Sequence, residues 1–215
     1  MSVGHSSTTK ARHRRLAETA GGVAGNERLT AMTGAVLLVL FAAEGVTILS
    51  IHRLLTMHFF VGMLLIGPVA LKVASTGYRF VRYYSGAVPY LQKGPPALFM
   101  RMLGPLVMAT SLAVLGTGVA LAVVGPGARQ WIFLHKASFV LWFGVMTIHV
   151  LVHAPRLPRL LLGGTGAGHT GVRAVAARAG AVLGGRAARW LLLTASLACG
   201  LLLAAATLHL TTRWG

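Results

Sequence analysis

Five long apolar runs constrain this chain more than any other feature. They cover roughly residues 29–50, 54–76, 98–124, 132–154 and 190–210. Each reaches the ~20 predominantly apolar residues that a helix needs to cross a bilayer. In hydrocarbon the backbone must satisfy its own hydrogen bonds, so only helices and closed barrels can span. The runs lack the period-two alternation of barrel strands. The expected fold class is therefore all-α and integral to the membrane. Only 11% of residues are charged and 55% are hydrophobic, against about 25% charged in soluble proteins. That excludes an ordinary soluble enzyme and a disordered chain. The net charge of +17 lies between the apolar runs, where membrane topology accounts for it, so no nucleic-acid partner is expected. The lone cysteine, Cys199, sits inside an apolar run, which leaves no disulfide framework and no cysteine-ligated cluster within the chain.

Basic residues set the expected orientation. Lys10, Arg12, Arg14, Arg15 and Arg28 precede the first span. Arg79, Arg82, Lys93 and Arg101 flank the second connection, and Arg156, Arg159, Arg173, Arg178, Arg186 and Arg189 fill the fourth. The other two connections carry Arg53 and Arg129. Positive-inside then places the N-terminus inside and the C-terminus outside a bacterial cytoplasmic membrane. Four units follow. Residues 1–28 read as a loose, disordered cytoplasmic tail. Residues 29–154 read as a four-helix bundle. Residues 155–189 read as a basic Gly/Ala-rich linker, with either an interfacial helix or a low-complexity loop over 172–189. Residues 190–215 read as a fifth spanning helix with a short outer tail. Tyr78, Phe80, Tyr83, Tyr84 and Tyr90 lie among arginines, as in an aromatic interface belt. Gly67-Pro68 and Gly104-Pro105 predict kinks in spans two and three.

Ionisable groups inside a membrane are costly and point to function. His58 and His135 each lie about one turn in from the outer ends of spans two and four, at matching depth. Histidine pairs on facing helices supply the two axial nitrogens of a haem. The alternative is that each imidazole only hydrogen-bonds a neighbouring helix. His149 follows His135 by 14 residues, a rise of about 21 Å and a rotation to within about 40° of the same face. Lys72 follows His58 by the same interval and should face His149. The outer site thus pairs two histidines, and the inner site sets His149 against Lys72. That lysine either ligates iron after losing its proton or snorkels to the inner surface. Glu44 lies near the depth of the outer pair. It can hold a histidine by its free N–H, exchange protons with a quinone, or simply hydrogen-bond within the bundle. Arg53, Arg129 and Lys136 ring the outer end, where they can pair with haem carboxylates. His52 and His209 read as interface residues.

The span-four residues His135-Lys136-Ala137-Ser138-Phe139 through Ile148-His149-Val150-Leu151-Val152-His153, with His58-Phe59-Phe60-Val61-Gly62 of span two, resemble the haem-bearing helices of bacterial membrane cytochromes b. These are the cytochrome b subunits of hydrogenases, formate dehydrogenases and thiosulfate reductases. The resemblance covers roughly residues 30–154. It implies a haem-binding bundle with haem b, one or two per chain, held by His58, His135 and His149, and Gly62 clearing space for the porphyrin. It departs from the pattern at Lys72, where a di-haem member has histidine, and at Phe139, where glycine is expected. It also implies exchange of electrons with a quinone pool and a catalytic redox subunit as partner; a homo-oligomer is compatible with it. The competing expectation is a non-redox membrane scaffold or accessory subunit, with histidines serving helix packing. A transporter would call for broken helices in an inverted repeat, and no such repeat is visible.

Overall fold

The computed structural model describes residues 4–91, 98–153 and 172–214, with side chains described for Val23, 25–91, 99–153 and 186–214. Six helices follow in order: α1 (Gly4–Leu49), α2 (Ile51–Tyr84), the short α3 (Val88–Leu91), α4 (Leu98–Val124), α5 (Arg129–His153) and α6 (Val172–Thr207). A 3₁₀ segment, Leu208–Trp214, closes the described chain. No strand occurs among the described residues. Five helical stretches are long and apolar enough to cross a membrane: Gly25–Leu49, Ile51–Tyr84, Phe99–Val124, Arg129–His153 and Arg186–Trp214. This fits a multi-pass membrane protein and matches the five apolar runs.

The helices run further than hydropathy alone indicates. α1 extends back to Gly4, so most of the stretch read as a loose tail is helical; alanine, arginine and glutamate there are good helix formers. The aromatic segment after residue 77 continues α2 to Tyr84 rather than forming a separate surface element. Residues 172–189 are likewise continuous with the fifth span. The rest of the 155–189 linker, including its glycine-rich part, falls outside the described residues. Pro68 and Pro105 sit inside continuous helices, and the one non-helical residue within α2 is Leu54. α4 stops where it does because Gly125 adopts φ +91° and its N–H closes onto the Leu121 carbonyl at 2.9 Å. That is the usual glycine helix end, and Pro126 cannot resume the helix.

α2 is the central element. It packs along α1 on one side and α6 on the other. Leu37, Val61, Leu65 and Val69 form one buried cluster between α1 and α2. Met63, Ala122 and Ala204 bring α2, α4 and α6 together in a second. The α2–α6 contact is backbone to backbone. A Cβ on Gly67 would overlap the Ser196 carbonyl oxygen, and one on Gly200 would overlap the Leu64 carbonyl oxygen. Small residues allow such close crossings in lipid, where apolar burial gives no drive for helix association. α5 is held differently. Its backbone packs closely only on α4, and Trp142 and Val145 are its only buried residues. Two side-chain contacts fasten that pair: Trp142 Nε1–H donates to Ser111 Oγ at 3.0 Å, and Thr117 Oγ1 meets Ser138 Oγ at 3.0 Å beside His135. Against α1, α5 makes a ring contact between Trp142 and Phe41, with centroids 4.7 Å apart. The bundle is therefore propped open between α5 and the α1–α2 pair.

Candidate functional site

A cavity of about 550 Å³ occupies that opening, within the ~300–1,000 Å³ usual for small-molecule and cofactor sites. It reaches from the end of the bundle that carries the α1–α2 and α4–α5 turns, called the upper end below, along α5 as far as Val150 and Leu151. Its wall is largely apolar, with Phe41, Phe59, Phe139 and Trp142 among the lining residues. Glu44, His58, Gly62, Gly118, His135 and Lys136 also line it, together with Thr211 and Trp214 of the 3₁₀ segment.

His58 comes from α2 and His135 from α5, and their ring centroids stand 6.3 Å apart at an interplanar angle of 72°. Each ring is fixed from behind through Nδ1. Thr47 donates its hydroxyl hydrogen to the Glu44 carbonyl at 2.6 Å, so its oxygen is left to accept from His58 Nδ1–H at 2.9 Å. The Glu44 Oε1 atom lies 3.0 Å from the same nitrogen. On the other side, Thr117 can donate to the Ala113 and Val114 carbonyls at 2.8 and 3.0 Å. Ser138 donates to the His135 carbonyl at 2.9 Å. The Thr117 oxygen then accepts from His135 Nδ1–H at 3.2 Å. With both threonines donating to carbonyls of their own helices, the proton of each ring sits on Nδ1. Nε2 is then left with its lone pair on each ring.

The 6.3 Å separation of the two rings is compatible with a metal-bearing cofactor between them, and His58 and His135 would be the residues to hold it. Two metal–nitrogen bonds of about 2 Å, with ring centres about 1 Å behind each nitrogen, separate two imidazole centroids by about 6 Å. Orientation of ligand histidines through Nδ1–H is the usual support of a metal-binding imidazole. No group of three or more His, Cys, Asp or Glu side chains able to hold a bare metal ion occurs among the described residues.

The glycines divide by role. A Cβ on Gly118 would lie 3.1 Å from His135 Cε1, so this residue seats the imidazole against α4. Gly62 faces Glu44, whose Oε1 would lie 3.3 Å from an added Cβ. Its bareness accommodates the carboxyl group as well as opening the cavity wall. Gly104 and Gly116 have open space around them and support no close approach.

Of the residues singled out in the sequence, Glu44, His58, Gly62 and His135 line the cavity, while Lys72 and His149 do not. Lys72 Nζ donates to the Thr30 carbonyl on α1 at 2.7 Å, over the space left by Gly34. Ser75 and Asn26 complete this lower α1–α2 contact, with Thr30 Oγ1 to Ser75 Oγ at 3.2 Å and Asn26 Nδ2 to the Ser75 carbonyl at 3.1 Å. His149 stacks on His153 with centroids 4.3 Å apart, and its buried Nδ1 has no hydrogen-bond partner among the described residues. Neither Lys72 nor His149 lines the cavity. His52 and His209 are exposed. Thr47, Thr117, Thr211 and Trp214 were not singled out from the sequence; the threonines could have been sought as hydroxyls near the depth of each histidine.

Comparison with known proteins finds no family model, no curated protein and no solved structure that matches the chain. The functional reading therefore rests on the geometry of this cavity.

Proposed function

We propose that the chain is a membrane-embedded b-type cytochrome that holds one haem between His58 and His135. The observation that carries this reading is the facing pair itself. Two imidazoles from helices that hardly touch line one apolar cavity with their ring centroids 6.3 Å apart, each bonded through Nδ1. Packing histidines have no need of an opening between them. A haem bound there supplies one-electron transfer. The chain's own residues do the rest. Thr47 and Glu44 fix the His58 ring, and Thr117 fixes His135, so both Nε2 atoms keep their direction. Phe41, Phe59, Phe139 and Trp142 exclude water from the cavity. Lys136, which lines it, offers a cation to a carboxylate. His149 contributes no second site in this reading. Electron exchange with a quinone pool and a catalytic redox subunit rests on the resemblance to cytochrome b subunits, as does placement in a bacterial inner membrane with the N-terminus inside.

The deciding experiment is a reduced-minus-oxidised spectrum of the detergent-purified protein, with haem per chain measured as the pyridine haemochromogen. The expected result is a b-type spectrum at about one haem per polypeptide. Protein produced with ample haem that contains none would overturn the reading and favour a scaffold whose histidines serve packing.

A further inference from the structure

The 3₁₀ segment Leu208–Trp214 forms part of the upper wall of the cavity. Arg213 donates to the Val123 carbonyl at the end of α4, at 3.1 Å. The segment also packs against α2, and the Gly67–Gly200 crossing holds α6 beneath it. Trp214 and Thr211 line the cavity, yet Trp214 Nε1 is buried and has no hydrogen-bond partner among the described residues. A tryptophan that merely anchors a membrane protein keeps its N–H toward headgroups or water, and a buried indole N–H usually finds an acceptor. The described residues offer it no acceptor. An orphaned buried donor in the wall of a ligand cavity implies an acceptor on the ligand. Lys136, also in that wall, adds a positive charge to the same end.

We infer that Trp214 is a ligand-contact residue whose indole N–H donates a hydrogen bond to a carboxylate oxygen of the haem bound between His58 and His135. This inference rests on the haem reading above. The donor and the Lys136 cation together form the kind of site that selects a charged carboxylate over an ester.

The test titrates the full-length protein in detergent with haemin and with haem dimethyl ester, following the Soret band, for the wild type and Trp214→Phe. Loss of one hydrogen bond to a charged group should weaken haemin binding by about tenfold, and leave binding of the ester within about twofold of wild type. A second measurement does not depend on the variant's folding. The ¹⁵N-indole resonance of Trp214 in wild-type protein should move when zinc protoporphyrin IX is added. Equal haemin affinity in the two proteins, an equal loss for haemin and ester, or an indole signal that stays in place each overturns the role of Trp214, with the haem reading intact. A wild type that takes up no haem overturns both.

Discussion

The upper and lower halves of this bundle start from similar materials and end differently. Each has a histidine on α5 and a basic or imidazole side chain on α2, 14 residues apart on each helix. In the upper half, His58 and His135 line one cavity with their ring centroids 6.3 Å apart, backed by Thr47, Glu44 and Thr117. In the lower half, Lys72 turns to α1 and His149 stacks on its own helix neighbour His153. The difference lies in the backing groups. A histidine becomes a directed ligand when a second helix takes its Nδ1–H and leaves Nε2 facing open space. His149 Nδ1 has no such acceptor.

The largest effect that can break this comparison is loss of an upper ligand. His58→Ala or His135→Ala should bring haem per chain from about one to near zero in the pyridine haemochromogen assay, while His149→Ala leaves it at one. Equal losses from all three would show that the halves are not different in kind. Next in size is Gly118→Val. Its side chain would enter the space of the His135 ring, which an added Cβ already approaches to 3.1 Å. The imidazole must shift, and overpacking of this kind costs about 1–3 kcal/mol. Haemin affinity should fall by about tenfold or more in a Soret titration, whereas Gly116→Val, on the same helix but with open space around it, should change it little.

Much of this was legible in the sequence because it depends only on run length and helix period. The five spans follow from hydropathy, and the matched depth of His58 and His135 follows from counting residues from the ends of two spans. What was not legible depends on helix rotation and crossing. Fourteen residues place Lys72 on nearly the same face as His58, but α2 is flanked by α1 and α6, and the Thr30 carbonyl on α1 takes the ammonium. The glycines look alike in the sequence, yet Gly67 and Gly200 interlock two backbones, Gly118 seats a ring, and Gly104 faces open space. Thr47 and Thr117 are ordinary helix residues until a neighbouring helix brings an imidazole to them.

A smaller effect sharpens the role assigned to those threonines. Thr117→Val removes the oxygen that meets both His135 Nδ1 and Ser138 Oγ and nearly preserves side-chain shape. A hydrogen bond of this kind contributes about 0.5–1.5 kcal/mol, so haemin should bind roughly three- to tenfold more weakly while remaining at one per chain at saturation. Thr110→Val is the control, because Thr110 bonds only within its own helix, to the Leu106 and Val107 carbonyls. It should leave haem affinity unchanged. A drop common to both variants would assign the effect to helix α4 as a whole rather than to the bond at His135.

The smallest expected effect separates this chain most sharply from a di-haem cytochrome b. Lys72→His restores the histidine that the resemblance expects at that position. If residue type alone decided the matter, the variant would gain a second haem with His149 as its partner. The geometry argues against that gain. Position 72 projects its side chain toward Thr30 and Gly34 on α1, whereas a shared haem needs it to face α5. An imidazole there is also shorter than the lysine it replaces. Its nearest acceptor would be a carbonyl of α1, and His149 would still lack a group to take its Nδ1–H. Haem per chain should therefore stay at about one, with the spectrum of the upper site unchanged. A value near two, lost again on adding His149→Ala, would mean that the lower helices can rotate to form a site, and that Lys72 alone keeps them from doing so.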